Sequence, residues 1–309
     1  MKQGIIIGAS AAGLSAAIYL KRQNIDFQII SKDIGGEMAL SGIIENYPGF
    51  PLTDGVALTQ KFKEHIDKYE ISVINDTVNA LAIEKQNEHQ QYFKVITAKN
   101  VYTAKTIIIA TGSTPKKLNI PGEEKFYHKG LSYCSVCDLP LFKDKVVTII
   151  GGGNSANEAG IMGSRICKQV YVITKNPMMK GDKILIEELK SKANVKIIFN
   201  ALTQEIIGEN FVSGVKYNDL VSGETNYLKT DGVFIHIGLQ PNTKFIPPEW
   251  NLMNSYGEII VNELCQTKIP GIFAAGDVTN IPHKQIGIAV GQGIIAGLEA
   301  IKFINSLGS

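Results

Sequence analysis

Arginine is nearly absent. Only Arg22 and Arg165 occur in 309 residues that carry 31 basic side chains in all, so a site that grips phosphate with guanidinium forks has little to draw on. Charge excess is absent too. The formal net charge is +2, which gives no reason to expect a nucleic-acid partner. Cysteine is sparse, four residues in total, and that excludes a small disulfide-stapled scaffold. Cys167 and Cys265 stand alone and no His-x-x-x-His run exists, so a second ligand pair for zinc is missing and no metal site is expected. No uninterrupted membrane span is visible either. The most apolar stretch, 286–304, contains Gln292, Glu299, Lys302 and four glycines, and reads as a buried helix. Residues 2–8 already read as a buried strand, so no leader segment is expected there. A reducing cytoplasm is the expected setting for the one close cysteine pair.

That pair is the centre of the sequence: Cys134-Ser135-Val136-Cys137-Asp138. Two thiols separated by two residues can close a disulfide within one helical turn, making a reversible two-electron switch in which one thiolate attacks and the other resolves. Asp138 places a carboxyl group beside the sulfurs, where it can pass a proton to a leaving thiolate. Cys167 and Cys265 read as inert packing residues.

Hydrophobic residues at 44% and charged residues at 19% fit a folded chain with two domains of ordinary size. The short apolar run Gly4–Gly8 reads as a central parallel strand. It leads into Gly8-Ala9-Ser10-Ala11-Ala12-Gly13 and an alanine-rich helix over 14–23. Strand, glycine turn and helix aim amides at a pyrophosphate, although Ser10 stands where the dinucleotide fingerprint has its second glycine. The second strand, 27–30, ends at Ser31-Lys32-Asp33, with Asp33 the nearest acid to the ribose position. A loop-rich passage holds Gly35-Gly36-Glu37-Met38 and Glu45-Asn46-Tyr47-Pro48-Gly49. A helix over 54–69 follows. Strands near 71–75, 78–84, 92–98 and 101–103 are expected as an antiparallel meander with a turn at 86–90, and 106–110 as a further buried strand. Pro115, Pro121 and Gly122 mark a crossing between domains.

Val146-Val147-Thr148-Ile149-Ile150 opens a second copy of the first unit. Gly151-Gly152-Gly153-Asn154-Ser155-Ala156 and a helix to about 166 follow. Two such elements in one chain indicate two nucleotide-type domains. The second domain continues with strands near 170–174, 195–199, 204–208, 211–217 and 232–237, and residues 238–243 return the chain. Near the end, Asp277 follows Ala274-Ala275-Gly276, where it can bind a ribityl hydroxyl or cap a turn.

These pieces in this order resemble the low-molecular-weight thioredoxin reductases over nearly the whole chain. The resemblance rests on the first glycine turn, Gly35-Gly36, Glu45 to Phe50, Ala110-Thr111-Gly112, the Cys134/Cys137/Asp138 motif, Gly151 to Ala156, and Ala274 to Val278. It implies an α/β fold of two Rossmann-like, three-layer ββα domains, the second inserted into the first: 1–114 with 244–309 for FAD, and 115–243 carrying the dithiol. The positions it implies for FAD are Gly8, Ser10, Ala11, Ala12, Gly13, Gly35, Gly36, Glu37, Met38, Asn46, Ala110, Thr111, Gly112, Gly276, Asp277, Lys284, Gln285 and Ile286. It further implies that Cys137 faces the flavin, Cys134 attacks the disulfide of thioredoxin, Asp138 is the acid, and the protein is a homodimer. One dithiol serving both flavin and a protein partner needs two positions, and the paired crossings near 112–118 and 239–245 suit a two-strand hinge.

The departures concern the electron donor. The family's His-Arg-Arg clamp for the 2′-phosphate of NADPH belongs after the strand at 170–173. Here the sequence runs Thr174-Lys175-Asn176-Pro177-Met178-Met179-Lys180. Lysine acts as a point charge where guanidinium binds bidentately. Glu37 replaces a glutamine, Leu139 a glycine and Lys284 an arginine. NADPH is therefore disfavoured. Reduced ferredoxin is the expected donor, as in the related reductases that use no pyridine nucleotide, and the basic pI of about 8.2 suits an acidic partner. NADPH held by lysines and NADH are the alternatives. A dithiol oxidase passing electrons to oxygen is a further one.

Overall fold

The computed structural model describes residues 1–41, 43–85 and 91–307. The turn expected at 86–90 lies outside them. The chain forms two compact units, Met1–Thr114 with Gln240–Ser309, and Pro115–Leu239. The second unit is thus an insertion in the first, and the return crossing falls at Leu239/Gln240, a few residues earlier than expected.

The first unit begins with β1 (Lys2–Ala9), α1 (Ala11–Arg22) and β2 (Phe27–Ile34). Helix α2 (Gly55–Lys68), capped by the Asp54 carboxylate at the Ala57 amide, leads to β3 (Val73–Asn75). Strands β4 (Val78–Lys85), β5 (Gln91–Thr97) and β6 (Val101–Ile109) follow. Two expectations change here. Residues 73–75 pair in parallel with β2 rather than joining the meander. The strands expected at 101–103 and 106–110 are one continuous β6, antiparallel to β5 through 101–104 and parallel to β1 through 104–109. A strand that changes partners along its length shows two burial patterns in sequence, and the observed pattern runs from exposed at Val101 to buried at Ile109.

In the second unit, β7 (Leu131–Ser132) precedes the short helix α3 (Ser135–Asp138). Then come β8 (Val146–Ile150), α4 (Asn154–Ile166), β9 (Gln169–Ile173), α5 (Lys183–Ser191) and β10 (Val195–Ile198). Strands β11 (Ala201–Gly208), β12 (Val212–Asp219) and β13 (Thr225–Lys229) form an antiparallel sheet. Strand β13 carries mostly exposed side chains and gave no apolar signal. Strand β14 (Gly232–Ile235) completes a five-stranded parallel sheet of order β7-β14-β8-β9-β10.

The chain returns to the first unit with β15 (Ile272–Ala274) and α6 (Ile286–Ser306). The resulting sheet runs β3-β2-β1-β6-β5-β4, with β15 parallel to β6. Helix α6 is long and apolar enough to cross a membrane by length and composition. Its glycines have a different use: a Cβ on Gly293 would come within 2.1 Å of the Ala12 carbonyl and one on Gly297 within 3.1 Å of the Ala16 carbonyl. Ala289, Gly293, Ala296, Gly297, Ala300 and Ile304 form its buried face, at the three- and four-residue spacing of a helix lying on a core.

Candidate functional site

In the first unit, residues distant in sequence converge on the turn between β1 and α1. Gly8 has φ +108, and a Cβ there would come within 2.2 Å of the Ala110 carbonyl; one on Gly13 would come within 2.0 Å of the Gly8 carbonyl. Small residues are therefore obligatory on packing grounds alone. The Ser10 hydroxyl donates to the Gly35 carbonyl at 2.5 Å and does not cap α1. Gly36, at φ +51, lies against Ser10, and its amide donates to the Asp33 carboxylate. Asp33 thus holds this turn. Met38 is buried beneath it, and Glu37 sits in the same short helix, Gly36–Ala39.

The C-terminal segment reaches the same turn. Gly276, at φ +80, packs against Ala12 and Ala289, and the Asn46 amide donates to Gln285 Oε1 at 3.2 Å. Thr111 donates to the Asn242 carbonyl, while Gly112 (φ +66) and Gly287, next to Ile286, have no atom within 4 Å of a built Cβ. Two residues outside the expected set fix the geometry. Gln292 Oε1 accepts from the Gly276 amide and the Thr279 hydroxyl, and Glu258 pairs with Lys284 at 3.0 Å. Their one sequence signal was a polar residue in the first, otherwise apolar half of a long helix, in the case of Gln292.

Asp277 tests whether this cradle fits a flavin dinucleotide. Burial raises its carboxyl pKa, while the charge of Lys284 opposes the shift. No hydrogen bond to this carboxylate is made among the described residues. A half-buried carboxylate that no described protein donor contacts is free to accept from a ligand hydroxyl, and the unblocked amide end of α1 suits a phosphate. The cradle fits: Gly8 to Gly13 would hold the pyrophosphate and Asp277 a ribityl hydroxyl.

In the second unit, Cys134 and Cys137 form a disulfide with their Cα atoms 5.3 Å apart. Cys134 caps α3, and its Sγ accepts from the Cys137 amide at 3.3 Å. An amide aimed at that sulfur favours its thiolate after reduction. Ser132 Oγ accepts the Cys134 amide at 3.0 Å. Asp138 is half-buried; burial raises its pKa, and the Ser132 hydroxyl and the nearby His128 pull it down. Leu139 is wholly buried, so that position serves packing. Cys167 and Cys265 are buried, with thiols pushed up to about 11 by desolvation, and are unreactive. No cluster able to hold a metal occurs among the described residues.

The second glycine turn is built differently. A Cβ on Gly151 would come within 2.1 Å of the His236 carbonyl, and one on Gly152 within 2.6 Å of Thr174 Oγ1. Gly153 meets nothing within 4 Å and has an ordinary φ of −103. The loop after β9 folds back over this turn: the Lys180 amide donates to the Gly152 carbonyl, and the Asn154 amide group donates to Asp182 at 3.1 Å. Lys175 and Lys180 are exposed and make no ion pair among the described residues.

Comparison with known proteins agrees with this construction. Residues 2–293 match the family described as pyridine nucleotide-disulphide oxidoreductase. The chain is 39% identical over 301 residues to an alkyl hydroperoxide reductase component of Escherichia coli (strain K12), covering 97% of this chain and 58% of that one. The corresponding Staphylococcus aureus (strain MRSA252) protein is 41% identical over 302 residues with the same coverage. The chain thus spans little more than half the length of these curated relatives. Among solved structures, thioredoxin reductase from Streptococcus pyogenes MGAS5005 is 36% identical with a TM-score of 0.91, covering 99% of each chain. A ferredoxin-flavin thioredoxin reductase from Clostridium acetobutylicum is 31% identical with a TM-score of 0.52, covering 99% of this chain and 98% of that one.

Proposed function

The chain belongs to the pyridine nucleotide-disulphide oxidoreductase family and is an oxidoreductase, and from that premise we propose that it reduces the disulfide of thioredoxin or a thioredoxin-like protein through Cys134 and Cys137. The carrying observation is the dithiol turn itself. Two sulfurs bond across one turn, Cys134 Sγ receives an amide, and the residue after Cys137 carries a half-buried carboxyl with a raised pKa. Gly8 to Gly13 and Asp277 would hold FAD, whose reduced form would supply the two electrons needed to convert the Cys134–Cys137 disulfide to the dithiol. Cys134 as thiolate then attacks one sulfur of the partner disulfide, forming a mixed disulfide and releasing a partner thiolate. Cys137 displaces the second partner thiolate and restores the intramolecular bond, so two electrons leave the chain per turnover. Asp138 delivers the proton that a leaving thiolate needs, since burial keeps its acid form to higher pH than an exposed aspartate would.

As donor, NADH replaces ferredoxin as the better match. Gly153 is a glycine that no neighbouring protein atom requires, and the 174–182 loop is fastened beside it, to Gly152 and Asn154. A ligand's close approach gives that glycine a purpose, and without arginines a dinucleotide lacking the 2′-phosphate is the better fit. Membership of a family described by its pyridine nucleotide supports a nicotinamide donor. Reduced ferredoxin remains the second reading, supported by likeness to the clostridial enzyme. We place the working protein in a reducing cytoplasm as a homodimer, with the partner covering Ile295 and Leu298, which α6 leaves exposed. We place FAD in the unit Met1–Thr114 with Gln240–Ser309 and the dithiol in the inserted unit Pro115–Leu239.

Stopped-flow mixing tests the donor. Saturable bleaching of the flavin by micromolar NADH, with NADPH weaker, is the expected result; bleaching by reduced ferredoxin alone overturns it. A flavin-loaded protein whose dithiol never transfers electrons to any thioredoxin would overturn the reductase. Rapid peroxide formation from a small dithiol in air would favour the oxidase.

A further inference from the structure

Ser135 and His236 are 101 residues apart and meet at the dithiol turn, with Ser135 Oγ 2.5 Å from His236 Nε2. Ser135 is 4% exposed, too buried to serve as a nucleophile for a substrate. His236 directly follows β14, and its backbone is locked: its amide donates to the Ile150 carbonyl at 2.7 Å, and its own carbonyl abuts Gly151. The imidazole hangs from the rigid end of the parallel sheet. Burial lowers its pKa to about 4, so the ring is neutral near pH 7 and one nitrogen accepts. With the ring proton on Nδ1, the Ser135 hydroxyl donates to Nε2.

We propose that His236 is a positioning residue for the dithiol, holding the turn to the sheet through Ser135 once the disulfide is open, and so setting how readily the disulfide re-forms. In the oxidised state the covalent bond closes the turn. After reduction, the bonds left inside it are local, from the Asp138 amide to the Cys134 carbonyl and from the Cys137 amide to Cys134 Sγ. Ser132 holds the entry and buried Leu139 the exit. Among the described residues, the Ser135–His236 bond is the side-chain hydrogen bond that ties residues 134–137 to a different strand. Restricting the open turn raises the effective concentration of one sulfur at the other. Its loss therefore favours the dithiol and raises the reduction potential.

The proposal rests on the dithiol reading above, and its test needs neither donor nor thioredoxin. The flavin-loaded protein is equilibrated with glutathione buffers, quenched by alkylation, and the fraction of Cys134–Cys137 disulfide is read by mass. As that bond forms, the two thiols give up two electrons and two protons to glutathione disulfide. Ser135→Ala and His236→Ala should each shift the equilibrium toward dithiol by about fivefold to tenfold, the scale of one lost buried hydrogen bond. The double variant should shift it no further than either single one, and His236→Gln, which can still accept from Ser135, should restore it to within about twofold. Unmoved or additive shifts in protein with normal flavin content and circular dichroism overturn the positioning role alone. A wild type whose disulfide does not respond to glutathione overturns both this role and the dithiol reading.

Discussion

The two glycine turns look like copies in sequence and differ in what their glycines are for. In the first, Gly8 and Gly13 are each forced by a backbone carbonyl about 2 Å from where a Cβ would sit, and the ligand signal comes from elsewhere, from the Asp277 carboxyl, which accepts no hydrogen bond among the described residues. In the second, Gly151 and Gly152 are forced by His236 and Thr174, while a Cβ on Gly153 would meet nothing within 4 Å. A glycine required by its own protein reports the fold. A glycine with open space around it leaves room for a ligand to approach, and a carboxylate with no protein donor leaves an acceptor for one.

The largest expected effect separates the cradle from the switch. Cys137→Ser should lower thioredoxin reduction by more than about a thousandfold, with flavin still bound because Gly8 to Gly13 and Asp277 belong to the other unit; absorbance after gel filtration reads the retention. Asp138→Asn should slow turnover about a hundredfold. Because burial raises the Asp138 pKa, wild-type turnover should be full below that pKa and fall as pH rises through it. The variant should lose that limb, and a superimposable profile would remove the acid role.

Smaller effects bear on the turns themselves. Gly8→Ala, at φ +108 against the Ala110 carbonyl, should cost roughly 1–3 kcal/mol of stability, read by denaturant unfolding of the apoprotein. Asp277→Asn should weaken flavin binding about tenfold, since a charge-assisted bond becomes a neutral one. Gly153→Ala should leave stability within about 0.5 kcal/mol yet raise the NADH KM several-fold. Should Gly153→Ala change neither, the second turn is a fold element without a nucleotide, and the contrast between the turns disappears.

Much of the site was legible because its chemistry is local. The Cys134–Cys137 spacing, the adjacent Asp138 and both strand–turn–helix units depend on residues within one turn or one βα step. What escaped was long-range. Gln292 holds the turn at Gly276 from the middle of α6, Glu258 anchors Lys284, and His236 reaches Ser135 across 101 residues. No periodicity or spacing encodes such pairs. The merger of two expected strands into β6 failed for the same reason, since a strand's partners are chosen by the sheet and leave only a mixed burial pattern in the chain.

The amino-acid order alone settled that this chain would build two nucleotide-type folds, one carrying a reversible sulfur pair, because glycine turns and cysteine spacing act over a few residues. Which side chains share a cradle, which carboxyl finds no donor among the described residues and which histidine stands against the redox turn were decided by the folded state. Those facts follow from burial and from the convergence of distant strand ends, and both exist only once the sheets have formed.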